Sequence, residues 1–117
     1  MILHIVSRDA WAQAQHDDVY RPPSLEREGF IHFSKPEQVV ATANHFYAGQ
    51  GDLVLLVVDP AWLDAELRYE APAEQLDSAE RFPHLYGALN LDAVVRVVAF
   101  PPNAAGHWSA LPDGVYG

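Results

Sequence analysis

Gly29-Phe30-Ile31-His32-Phe33-Ser34-Lys35-Pro36-Glu37-Gln38 decides how this chain folds, because it reads as a short strand running straight into a helix. Phe30, His32 and Ser34 share one face by the period of two, and Ile31 and Phe33 share the other. Polar groups thus replace apolar ones on a single side of a hydrophobic strand. Ser34-Lys35-Pro36-Glu37 has the pattern of a capping box, with Pro36 early in the first turn. A junction of this kind presents an imidazole, a hydroxyl and free backbone N–H groups together, which suits a phosphate or sugar-like ligand.

Downstream, the spacing predicts a helix over 36–47, with Val39, Val40, Ala43, Phe46 and Tyr47 as its buried stripe and Gln38, Thr42 and His45 off it. Leu53 to Val58 has no alternation and reads as a strand buried on both faces. Ala65 to Glu70 is a further strand, with Arg68 and Glu70 on one face. Pro72 to Glu80 is acidic, non-periodic and expected to be mobile. Arg81-Phe82-Pro83-His84-Leu85-Tyr86-Gly87 then gathers cationic, aromatic and imidazole groups, and Ala93 to Phe100 is the final strand.

Upstream, Ile2 to Val6 is a strand interrupted by His4, which reads more readily as a hydrogen-bonded core residue than as a ligand. Ser7 caps the next helix, which turns Trp11 and Ala14 inward. Tyr20-Arg21-Pro22-Pro23-Ser24 is a stiff connector that holds Tyr20 and Arg21 at little entropic cost. One or two helical turns follow from Ser24 to Glu28, ended by Gly29. This order argues an α+β fold, a small mixed sheet with two main helices. Residues 1–102 are expected to be a single domain and 103–117 a tail docked by Trp108.

Composition narrows the function. The net charge is −9, from sixteen acidic residues against six arginines and one lysine, so general nucleic-acid binding is not expected. Without cysteine there is no disulfide and no thiolate nucleophile. No apolar run approaches the ~20 residues of a membrane span, and a cytoplasmic protein is expected. His4, His32 and His84 do not stand at zinc-motif spacings, so no metal is expected. Gly-x-Ser-x-Gly and glycine-rich phosphate loops are absent. Glu70 could steady developing positive charge, or form a surface ion pair with Arg68.

The run Gly29 to Ser34 with Gln38, Leu67-Arg68-Tyr69-Glu70 and Arg81 to Gly87, together with His4-Ile5 and Tyr20 to Ser24, resembles the small bacterial family DUF952. The resemblance implies a fold similar to the ADP-ribosyltransferase superfamily, which includes the RNA 2′-phosphotransferases. By position His4 matches its first motif, His32 with Ser34 the second, and Glu70 or His84 with Tyr86 the third. Around Glu70 there is no Glu-x-Glu or Gln-x-Glu pair, so protein ADP-ribosylation is not implied. The implied function is binding or transformation of NAD or a related ADP-ribose-containing nucleotide. His32, Glu70 and His84 would be catalytic, and His4, Arg21, Ser34, Arg81 and Tyr86 would bind the nucleotide. A hydrolase of another small phosphorylated metabolite would share this pocket. The alternative is a non-catalytic, oligomeric interaction module whose polar motifs are structural.

Overall fold

The computed structural model describes residues 1–72 and 75–117. In chain order the elements are β1 (Ile2–Ser7), α1 (Arg8–Asp17), β2 (Val19–Tyr20), α2 (Pro23–Glu28), β3 (Ile31–His32), α3 (Val39–Phe46), β4 (Leu53–Val58), β5 (Glu66–Glu70), β6 (Phe82–Tyr86), β7 (Leu89–Asn90) and β8 (Val94–Ala99). Short 3₁₀ turns lie at Pro60–Trp62 and Leu91–Ala93.

The apolar run Leu53–Val58 is the middle strand of the sheet β1-β4-β8. Its residues feed two cores in turn, which is why it lacks alternation. Val54, Leu56 and Val58 pack with Trp11, Ile31, Phe33 and Leu85, whereas Leu53, Leu55 and Val57 pack with Val39, Ala43, Phe100 and Trp108. Two further antiparallel sheets are β3-β6-β5 and the two-residue pair β2-β7. The expected mixed sheet is therefore corrected: among the described residues every pairing is antiparallel, in three small sheets with three helices. Parallel pairing needs long crossovers, and the connections here lead into antiparallel neighbours instead. The β2-β7 pair is too short to leave a periodic signal.

The two three-stranded sheets meet along one seam. Leu3 in β1 and Ser34, just past β3, exchange both backbone hydrogen bonds at 2.8 Å each. His4 reinforces the seam. Its Nδ1 lies 2.6 Å from the His32 carbonyl and its Nε2 lies 2.7 Å from the Tyr20 hydroxyl. A carbonyl only accepts, so Nδ1 carries the proton, and Nε2 accepts from the tyrosine. The His4 reading as a bonded core residue is the one the fold realises.

The seam also displaces the expected helix start. Ser34 does not cap α3, because its backbone is committed to Leu3 and its hydroxyl donates to Thr42 Oγ1 at 3.3 Å. The Lys35 N–H turns instead to Gln38 Oε1 at 3.0 Å, and α3 begins at Val39. Phe46, expected on the buried stripe, is 58% exposed, while Val39 and Ala43 are fully buried. Ser7 does cap α1, accepting from Ala10 N at 3.1 Å, with Trp11 and Ala14 buried. Gly29 closes α2 at φ 87°, which sends the chain back into β3. Gly87 ends β6 where an added Cβ would come 2.7 Å from the Ala65 Cβ.

The tail is docked as expected. Trp108 is buried, donates from Nε1 to the Phe100 carbonyl at 3.1 Å, and pairs its backbone with the Asn44 amide through two 2.8 Å bonds. Part of the expected mobile segment, residues 73 and 74, lies outside the described residues. Among the described residues no helix is long and apolar enough to cross a membrane.

Two outcomes follow from these contacts. Burial pushes the His4 imidazole down to about 4, outweighing the raising effect of its bond to His32. Between that value and the ordinary His value of about 6.5 the unfolded chain holds the extra proton. Stability should therefore fall by on the order of 2 kcal/mol from pH 7 to pH 5 in urea titrations, and His4→Gln should remove that slope. Asn44→Ala leaves the Trp108 backbone groups unpaired. It should cost about 1–3 kcal/mol, a drop in Tm of roughly 4–12 °C by calorimetry.

Candidate functional site

The seam leaves a cleft on the α3 side of the joined sheets. A cavity of about 110 Å³ lies between β1, β3, β6 and α3, with Leu3, Phe33 and Phe82 as apolar wall and His4, His32, Ser34, Thr42 and His84 as polar wall. A second cavity of about 450 Å³ adjoins it across the shared residues His4, Ile5, His32, Thr42, Phe46 and Tyr47, and reaches Tyr20, Pro22, Pro23, Ser24, Arg27 and Glu28. The stiff double-proline connector thus forms one bank of the larger cavity, and the exposed ring of Phe46 stands beside both.

Three of the motif histidines converge here, because β1, β3 and β6 each bring one. His32 and His84 face each other across the β3–β6 pairing, with ring centroids 5.6 Å apart and crossed at 73°. His84 is 4% exposed and lies flat on Phe30, centroids 4.1 Å apart at 19°. Its Nδ1 donates to Glu70 Oε1 at 2.9 Å, and the Tyr86 hydroxyl donates to the same oxygen. These two bonds, from Tyr86 first and His84 second, hold the Glu70 carboxyl below the usual range, so it is ionised near neutrality. The same bond raises Tyr86, whose ring carries the Arg68 guanidinium 4.3 Å from its centroid.

A similar pair forms on the other side. His32 Nε2 donates to Glu28 Oε2 at 2.7 Å, because Gly29 folds the end of α2 back over β3. Burial raises the Tyr20 hydroxyl, with the neighbouring Tyr47 adding to it, so Tyr20 stays protonated as a donor to His4. Burial raises Tyr47 in the same direction.

The residues expected at the site divide clearly. His4, His32, Ser34 and His84 line the first cavity. Glu70 and Tyr86 line neither cavity and reach it through His84. The simple ion pair expected for Arg68 forms with Glu66 at 3.0 Å rather than with Glu70. Both ring nitrogens of His4 are bound within the protein, so it has none to offer a ligand. Arg21 is exposed and lines neither cavity. Arg81 also lines neither, and its guanidinium donates to the Ser78 and Glu80 carbonyls.

Arg27, Glu28, Thr42, Phe46 and Tyr47 had not been expected as site residues. Two of them carry a signal in retrospect. Glu28 and His32 are four apart across a glycine that reverses the chain, and Ser34, Gln38 and Thr42 recur every four residues as a polar stripe. Gln38 uses that stripe structurally, donating to the Arg81 carbonyl at 2.8 Å and to Glu80 Oε2 at 3.3 Å, which ties α3 to the start of β6. Among the described residues no group of three or more His, Cys, Asp or Glu is placed to hold a metal ion.

No curated protein matches the chain. The X-ray crystal structure of CC0527 from Caulobacter crescentus is similar to it, with a TM-score of 0.80 and 34% identity over 91% of this chain and 90% of that one. The solution NMR structure of CC0527 agrees, at 0.77 and 34% over 91% and 89%. Residues 5–97 match the family described as a protein of unknown function, DUF952. By that match and by its likeness to CC0527, the chain belongs to the DUF952 family.

Proposed function

We propose that the cleft binds NAD or a related ADP-ribose-containing nucleotide, in an arrangement akin to the ADP-ribosyltransferases that the sequence motifs resemble. The observation that carries the reading is the meeting of His32, Ser34 and His84 on one partly apolar cavity that opens into a larger one holding Arg27. Phe46 and Tyr47 offer aromatic surface for a base or nicotinamide ring. Ser34 and Thr42 offer hydroxyls to a ribose. Arg27 takes the role first expected of Arg21 or Arg81, meeting the pyrophosphate in a charge-assisted pair. His84, oriented by Glu70 through one ring nitrogen, is the proton carrier. His4 contributes by holding the His32 backbone in place.

A non-catalytic, oligomeric module has one observation in its favour. Among the described residues no buried side-chain nitrogen or oxygen lacks a partner, as expected where polar motifs serve the fold. Ligand binding separates the two readings.

Isothermal titration with NAD and with ADP-ribose should give heat at up to millimolar ligand. Arg27→Ala should weaken binding by about tenfold, the equivalent of one charge-assisted contact, and Arg21→Ala should leave it unchanged. No heat with either ligand would leave the non-catalytic module as the reading.

A further inference from the structure

The two histidine–carboxylate pairs have the geometry of a proton-transfer device. His32 and His84 each give one ring nitrogen to a carboxylate, Glu28 and Glu70 respectively. A carboxylate accepts, so those nitrogens carry protons, and each ring is left with one nitrogen whose protonation is set by the cleft. These are Nδ1 of His32 and Nε2 of His84, and neither has a protein partner among the described residues. The His84 Nε2 is not sealed from solvent, since no unpartnered buried nitrogen exists among those residues. Both rings line the same cavity.

We propose that His32 and His84 act as a general acid–base pair that hydrolyses a phosphoryl–oxygen bond of the bound nucleotide, with Glu28 and Glu70 as their positioning residues. The inference rests on the nucleotide reading of the cleft and adds a reaction class to it. Both rings line one cavity with centroids 5.6 Å apart, so the two histidines stand close enough to serve the attacking and leaving oxygens of one phosphoryl group seated beside them. His84 is the base: it is buried, stacked on Phe30 and held by Glu70, so its orientation is constant. His32 is the acid: its side chain is 51% exposed and recovers a proton from solvent.

The step balances. His84 Nε2 takes a proton from water as the water oxygen bonds to phosphorus. The phosphorus–oxygen bond to the leaving group breaks, and that oxygen takes the proton from His32 Nδ1. One water is added across the bond, and both imidazoles return to their starting states by exchange with solvent.

The arrangement of Glu70 argues for this chemistry over glycosyl transfer. A carboxylate that steadies an oxocarbenium must face the sugar, whereas Glu70 lines neither cavity and gives one oxygen to both His84 and Tyr86. The charged and titratable groups around the pair are Arg27 and Glu28 from α2, Glu70 from β5 with Arg68 beyond it, Tyr86 from β6, His4 from β1, Tyr20 from β2 and Tyr47 at the end of α3.

The test follows NAD and ADP-ribose by phosphorus NMR in ¹⁸O-labelled water, alongside calorimetry on the same samples. New phosphomonoester signals carrying one ¹⁸O are expected, with a bell-shaped dependence on pH. His84→Gln and His32→Ala should each cut the rate by about 10²- to 10⁴-fold, with binding heat retained. Glu28→Gln, at a partly exposed pair, should lower the rate and shift the acid-dependent arm of the profile without changing Tm. Binding heat without turnover, or release of nicotinamide with both phosphates intact, overturns the acid–base pair and leaves the nucleotide reading standing. Rates unchanged in both histidine variants overturn it equally. No binding heat overturns both.

Discussion

Two backbone hydrogen bonds between Leu3 and Ser34 hold this structure to its shape, because they join two sheets that have no other strand pairing between them among the described residues. The bridge is short, and His4 extends it by one residue. Its imidazole donates to the His32 carbonyl and accepts from Tyr20, so one side chain links β1, β2 and β3. Burying an imidazole disfavours its charged form, and here the neutral ring finds an acceptor for one nitrogen and a donor for the other. The seam thereby fixes where His32 stands, and β6, paired to β3, fixes His84 opposite it.

The chemistry of the cleft follows from which nitrogens are already committed. His4 is saturated, so it is part of the frame. Among the described residues, His32 and His84 each have one ring nitrogen without a protein partner. Glu70 stands behind His84 and lines neither cavity, whereas Glu28 holds His32 and lines the larger one. Tyr86 and His84 both hold Glu70, and the resulting low carboxyl pKa keeps it charged and orienting. In a chain with a net charge of −9, the cation at the cleft is Arg27, delivered by the helix that also delivers Glu28. Arg27 at the larger cavity and Glu28 at His32 are thus neighbouring residues of α2.

Much of this was legible before folding. The buried strand Leu53–Val58, the Ser7 cap, the inward Trp11 and Ala14, the Gly29 stop and the docked Trp108 each rest on a local pattern with a physical cause. The polar face read in residues 30–34 falls where His32 and Ser34 line the first cavity. Ser34 was misread as a cap because the pattern of a capping box says nothing of a long-range backbone partner, and Leu3 provides one. Phe46 was misread because helical spacing shows a stripe without showing where the core ends. Arg21 on the stiff connector and Arg81 in the 81–87 motif line neither cavity, because an arginine's reach depends on which way its strand or loop faces. Arg27, which reads from sequence as a solvated surface charge, and Glu28 line the larger cavity, and a helix of six residues carries too short a period to show its faces.

Local sequence settled the residue types and their alternation: an imidazole in β1, another in β3 and a third in β6, each on an otherwise apolar strand. Those choices depend on contacts within a few residues, which is the range over which hydrophobic periodicity and turn chemistry act. Tertiary structure alone decided that the three would meet, that one would be locked neutral and that, among the described residues, two would each keep a ring nitrogen without a protein partner. Those outcomes depend on partners 28, 16 and 14 residues apart, His32 and Tyr20 for His4 and Glu70 for His84. No local pattern encodes which acceptor a ring nitrogen will find. The protonation logic of the cleft is therefore a property of the seam.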